Sequence, residues 1–180
     1  MSRSQRKGML YRLVMARSDF QVSKDACIAM QKFVSDDAHP LYFHLFTSAV
    51  VAYAKPFVQS DLGVIRGEWK KFPRPWMNTV HAHALNARNE VIAHNDPNIR
   101  SIWILPGTLD VGGEERSWSA RPVFKIEGYH VYQDFFPALE QLCNFQMLRL
   151  TKVIDEQTAH LYDFSNKPLQ EFQLTRNDES

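Results

Sequence analysis

From Leu41 to Tyr53 nearly every position is apolar or small, and the run is bracketed by Pro40 and Pro56. A strip this uniform has no polar face to give to water, so it predicts a helix buried on several sides at the centre of a core. Pro56 cannot donate to the helical ladder and clashes with the preceding turn, so the helix is expected to kink or end near Lys55. The most apolar part, Ala49 to Ala54, is far shorter than the ~20 residues a membrane-spanning helix needs, which predicts a chain with no membrane span.

Other elements arrange themselves around this run. Ser18 and Gln21 have capping-box spacing, and Val22, Ala26, Ala29 or Met30, and Phe33 recur at helical intervals, predicting a first helix over about Ser18 to Ser35. Pro73 and Pro75 precede a third helix, expected from about Pro75 to Asn95. Ile99 to Leu105 and Trp118 to Ile126 are rich in β-branched and aromatic residues, with Pro106-Gly107 and Gly112-Gly113 between them, which predicts a two-stranded hairpin with a long loop over about 99–126. A last helix, with Pro137 tolerated in its first turn, runs from near Asp134 to about Leu161 and carries Leu139, Cys143, Met147, Leu150, Ile154 and Leu161 along one stripe. With 180 residues, 44% of them hydrophobic, the chain has material for one sizeable core. The expected architecture is a mainly α, up-and-down helical bundle with a β-hairpin inserted before the last long helix, forming one domain over 1–165 and a loose polar tail over 166–180.

Composition narrows the functional classes. The first seventeen residues hold five basic residues and no acid, but Arg12 splits the apolar stretch Met9 to Ala16, which argues against a secretory signal and for a basic arm or first helix. Cys27 and Cys143 lack Cys-x-x-Cys spacing and read as small buried hydrophobes in a reducing cytoplasm. A formal net charge of +1 supplies little long-range attraction to nucleic acid, so any such contact has to come from local patches.

The segment that carries chemistry is Arg88-Asn89-Glu90-Val91-Ile92-Ala93-His94. Wound at ~100° per residue, the third helix gathers Met77, Val80, Ala84, Leu85, Ala87, Val91 and Ile92 on one broad face and sets Arg88 near its middle, with His81 alongside. A guanidinium there is expected to meet a carboxylate, a phosphate or another polar group, because burying it unpaired is very unfavourable. Arg88 and His94 lie ~120° apart around the helix and ~9 Å apart along it, so a shared groove depends on their long side chains or on a symmetric dimer packing this helix against its own copy.

Arg88-Asn89, four residues, then His94 resembles the Arg-x(4-6)-His signature of the HEPN superfamily, and the stretches Ala52 to Phe57 and Leu85 to Asp96 are similar to small bacterial proteins with an Arg-Asn-x-x-x-Ala-His core. The resemblance implies a helical bundle, often dimeric, acting as a metal-independent endoribonuclease in a defence or toxin–antitoxin setting, or serving as a non-catalytic binding module. In the nuclease form His94 is the acid/base for the ribose 2′-hydroxyl, Arg88 clamps the phosphate, and Asn89 orients His94 or bonds the phosphate. The implied partners are RNA, a second copy through the third helix, and an antitoxin or other protein, with no metal and no cofactor.

Other readings of these residues stand beside that one. Arg88 pairing with a core carboxylate while His94 and Asn95 end the helix makes both structural, and the protein an interaction module, with a patch on the hairpin bearing Trp103 and Trp118. His81-x-His83 suggests a metal only weakly, since alternate helical residues point ~200° apart. Lys70, Lys71 and Arg74, interleaved with Trp69, Phe72 and Trp76, read either as an RNA-binding loop or as a solvated turn with its aromatics tucked against the core. No phosphate-binding glycine loop or nucleophile elbow is present.

Overall fold

The computed structural model describes residues 2–60, 63–65, 67–92, 101–105, 108–111, 114–117, 123–127, 134–162 and 174, and for residues 90–92 and the strands it describes the backbone. The chain divides into two compact units, residues 1–88 with 132–180, and residues 89–131. Among the described residues four α-helices dominate: α1 (Arg3–Phe33), α2 (Tyr42–Ala54), α3 (Pro75–Ile92) and α4 (Phe135–Leu161).

The first helix corrects the expected start at Ser18. Its cap is Ser2, whose Oγ accepts from the Gln5 amide at 3.2 Å while Gln5 Oε1 accepts from the Ser2 amide at 2.9 Å. Ser18 lies exposed in mid-helix, and Gln21 instead donates to Asp25 Oδ1 at 2.8 Å. The reason is phase: Leu10, Leu13 and Ala16 continue backwards the buried stripe of Phe20, Ser23, Cys27 and Met30, so packing carries the helix through the local cap signal. Arg3, Arg12 and Arg17 lie on its exposed side.

Helix α2 follows the expected bounds, but only its second half is core. Phe46, Ala49, Val50, Tyr53 and Ala54 are fully buried, whereas Leu41, just before the helix, and Phe43 in its first turn are exposed. Past Ala54 the chain tightens into a 3-10 turn over Lys55–Phe57, the geometry left to it once Pro56 has removed a helical donor. Ile65 then donates to the Pro56 carbonyl at 2.9 Å, which brings the chain back to the helix end.

Helices α1 and α4 lie antiparallel, laced by Arg6 to Gln157, Arg17 to Thr151 and Gln31 to Glu140. A buried polar relay fixes the middle of the bundle: Ser23 Oγ donates to the Ala49 carbonyl at 2.8 Å, and Cys143 Sγ lies 3.4 Å from Ser23 Oγ. It joins α1, α2 and α4 without leaving the serine hydroxyl unsatisfied. At one end Phe136 meets Tyr42 and Phe46 edge-on at 6.3 Å each.

In the second unit, β1 (Ser101–Leu105) pairs antiparallel with β4 (Val123–Glu127), and β2 (Thr108–Val111) with β3 (Glu114–Ser117). The single hairpin with a long loop expected over 99–126 is therefore corrected on two counts. The partner of Ser101–Leu105 starts at Val123 rather than at Trp118, and the intervening segment carries a ladder of its own, Thr108–Val111 with Glu114–Ser117, on either side of a Gly-Gly dipeptide of the kind that favours hairpins in sequence. Trp118 and the loose tail expected over 166–180, apart from residue 174, lie outside the described residues.

A candidate oxyanion cleft beside the third helix

Met77, Ala84 and Ala87 are the buried line of α3, with Val80, His81, Leu85 and Arg88 half-buried beside them. The four-residue step from Ala84 brings Arg88 round to the wall of a cleft of about 420 Å3. The cleft is also lined by Arg12, Met15 and Asp19 of α1, Val51 of α2, and Lys55, Pro56, Val58 and Ile65 of the returning segment. Arg88 thus lines an opening and is not sealed in the core.

Among the described residues three cations, Arg12, Lys55 and Arg88, line this cleft against one carboxylate, Asp19. Lys55 Nζ is 3.4 Å from Asp19 Oδ1, longer than the ~2.7–2.9 Å of a strong charge-assisted bond. Partial burial pushes the Asp19 carboxyl up, and Lys55 opposes that rise by its charge and its hydrogen bond. The turn that closes the cleft is built on Gly63, at φ +84°, whose amide donates to the Ser60 carbonyl at 2.8 Å. A Cβ at position 63 would stand 3.1 Å from Arg12 Nη1, so glycine there makes room for the guanidinium as well as for the turn.

His81 turns the other way. Its Nδ1 is 2.9 Å from Tyr53 Oη, and its ring sits 4.7 Å from Phe57 and 5.1 Å from Phe72. Burial, with Lys70 adding repulsion, pushes the imidazole down to about 4, and burial pushes the Tyr53 phenol up, so two neutral groups share the bond. Among the described residues no group of three His, Cys, Asp or Glu gathers to hold a metal ion.

Lys70, Lys71 and Arg74 are exposed, and Lys71 pairs with Glu68 at 3.0 Å. The aromatic residues between them are half-buried: Phe72 lies against His81 and Phe145, and Trp69 lies under the Arg149 guanidinium, 5.0 Å from its ring. The segment is pinned by its own carbonyls, since fully buried Gln146 donates to Trp69 O at 2.8 Å and Arg149 donates to Glu68 O at 2.7 Å and to Lys71 O at 3.3 Å.

Asn89 is exposed, and His94 lies outside the described residues. Sequence reasoning missed Arg12, Asp19 and Lys55 as site residues; the available signal was a lone cation interrupting the apolar stretch Met9 to Ala16. It also missed Gln146 and Arg149, which occupy the helix stripe that otherwise reads as core. No family model, curated protein or solved structure matches the chain. No helix among the described residues is long and apolar enough to cross a membrane.

Proposed function

We propose that the protein is a HEPN-like domain that binds RNA through phosphate contacts at the third helix and, with His94 as acid/base, cleaves it without a metal ion. The single observation that carries the reading is the position of Arg88: a half-buried guanidinium on the wall of an open cleft, with Arg12 and Lys55 lining the same space. A cation at the edge of an opening stands where it can add charge stabilisation to an oxyanion that enters.

Within this reading the chain is an up-and-down bundle carrying a β appendage before its last helix, it works in the cytoplasm as a homodimer through α3, and an antitoxin or similar protein is its partner. Asn89 orients His94 or bonds the phosphate. Lys70, Lys71 and Arg74 extend the cationic surface, on a segment whose Glu68, Trp69 and Lys71 carbonyls are bonded to α4 by Gln146 and Arg149.

Cleavage of a labelled total-RNA pool in EDTA, by the wild type and by folded Arg88→Ala and His94→Ala variants of equal oligomeric state, tests the proposal. Cleavage by the wild type alone supports it. Cleavage by all three alike rejects these residues as the centre, and RNA binding without cleavage leaves the binding module.

A further inference from the structure

The walls of the cleft differ sharply in character. Met15, Val51, Pro56, Val58 and Ile65 make an apolar lining, and the cations enter from α1, α3 and the end of α2. A surface that only follows a nucleic-acid backbone needs charge and exposure; it does not need an apolar pocket of about 420 Å3. That size falls within the ~300–1,000 Å3 of small-molecule sites, which pair an apolar lining with a few placed polar groups.

Asp19 already acts as an internal anion. It holds Lys55 at 3.4 Å, a loose pairing, and it is the one carboxylate among the described lining residues. An entering oxyanion offers Lys55 a better-placed partner and meets Arg12, whose guanidinium is set against the Gly63 turn. We propose that this cleft binds a small organic oxyanion, a phosphate monoester or a carboxylate carried on an apolar body, whose head group draws Lys55 away from Asp19 and is shared with Arg12. This site does not rest on the RNA reading, although Arg88 lines it.

The test is calorimetric titration of the full chain with phenyl phosphate and with benzoate, against inorganic phosphate and benzyl alcohol. The expected result is saturable binding of at least one aryl oxyanion, with both controls weaker by about tenfold or more. The tighter of phenyl phosphate and benzoate identifies the head group. Arg12→Ala and Lys55→Ala weaken that probe by about tenfold each, while Asp19→Asn tightens it, a gain that a damaged fold does not produce. Gly63→Ala weakens it by straining the turn at φ +84° and crowding the Arg12 guanidinium. Equal affinity for benzyl alcohol or for inorganic phosphate, no saturable binding of either aryl oxyanion up to about 1 mM, or an unchanged affinity in Asp19→Asn overturns the proposal. The RNA assay of Arg88→Ala and His94→Ala is read independently of these probes, so either idea fails without taking the other with it.

Discussion

Tyr53 of α2 and His81 of α3 share a 2.9 Å hydrogen bond between two uncharged groups, walled by Phe57 and Phe72. With the imidazole held down to about 4 against an ordinary 6.5, the folded state takes up a proton less readily than the unfolded one. The stability this environment gives is therefore whole above pH 6.5 and is lost progressively as pH falls toward about 4. Urea unfolding between pH 7 and pH 4 is expected to show that decline in the wild type and a shallower one in His81→Gln, which keeps a polar partner for Tyr53 but does not titrate. Equal slopes would remove His81 as the source.

Leu10, Leu13 and Ala16, near the start of α1, belong to the core. Leu13 is 3% exposed within the stripe that α1 turns inward, so Leu13→Ala is expected to destabilise the protein by about 2–5 kcal/mol. Surface Arg17→Ala removes a single exposed hydrogen bond to Thr151 and is expected to cost under ~1 kcal/mol. Chemical denaturation of both distinguishes a structural helix from a dispensable basic arm.

Gln146 is fully buried and its amide satisfies the Trp69 carbonyl. Gln146→Leu leaves that acceptor without its partner at a cost of about 1–3 kcal/mol and loosens residues 67–71. Hydrogen exchange is the direct readout: the Lys71 amide, bonded to Glu68 O at 3.1 Å, is expected to exchange faster in the variant while the α1 core amides keep their relative protection.

Cys27 and Cys143 are completely buried, and burial pushes both thiols up, Cys143 to about 12. An aromatic disulfide reagent at pH 8 is expected to label the native chain only as fast as the bundle opens, and at once in denaturant. Rapid labelling of the native protein would contradict the packing of α1 on α4.

The middle and end of the bundle were legible because their signals were non-local in effect but local in sequence. Pro56, Pro75 and the apolar stripe beginning at Phe135 each mark a physical limit on where a helix starts or stops, and α2, α3 and α4 begin or end there. The start of α1 was not. Ser2-x-x-Gln5 and Ser18-x-x-Gln21 carry the same capping pattern, and only the phase of Leu10, Leu13 and Ala16 against Phe20 decides between them. The site was half legible: Arg88 stood out as a cation on an apolar face, but Arg12, Asp19 and Lys55 come from different helices, and no spacing along the chain brings them to one cleft.

The antiparallel pairing of α1 with α4 sets an order of events during synthesis. About a hundred residues separate the two helices, so at ordinary translation speeds α1 leaves the ribosome roughly 5–20 s before its partner. Its early companion is α2, through Ser23 and Ala49, and the side that later meets α4 waits uncovered meanwhile. Until Phe135 to Leu161 follow, α1 has α2 to pack against and its α4-facing side stays without its cover.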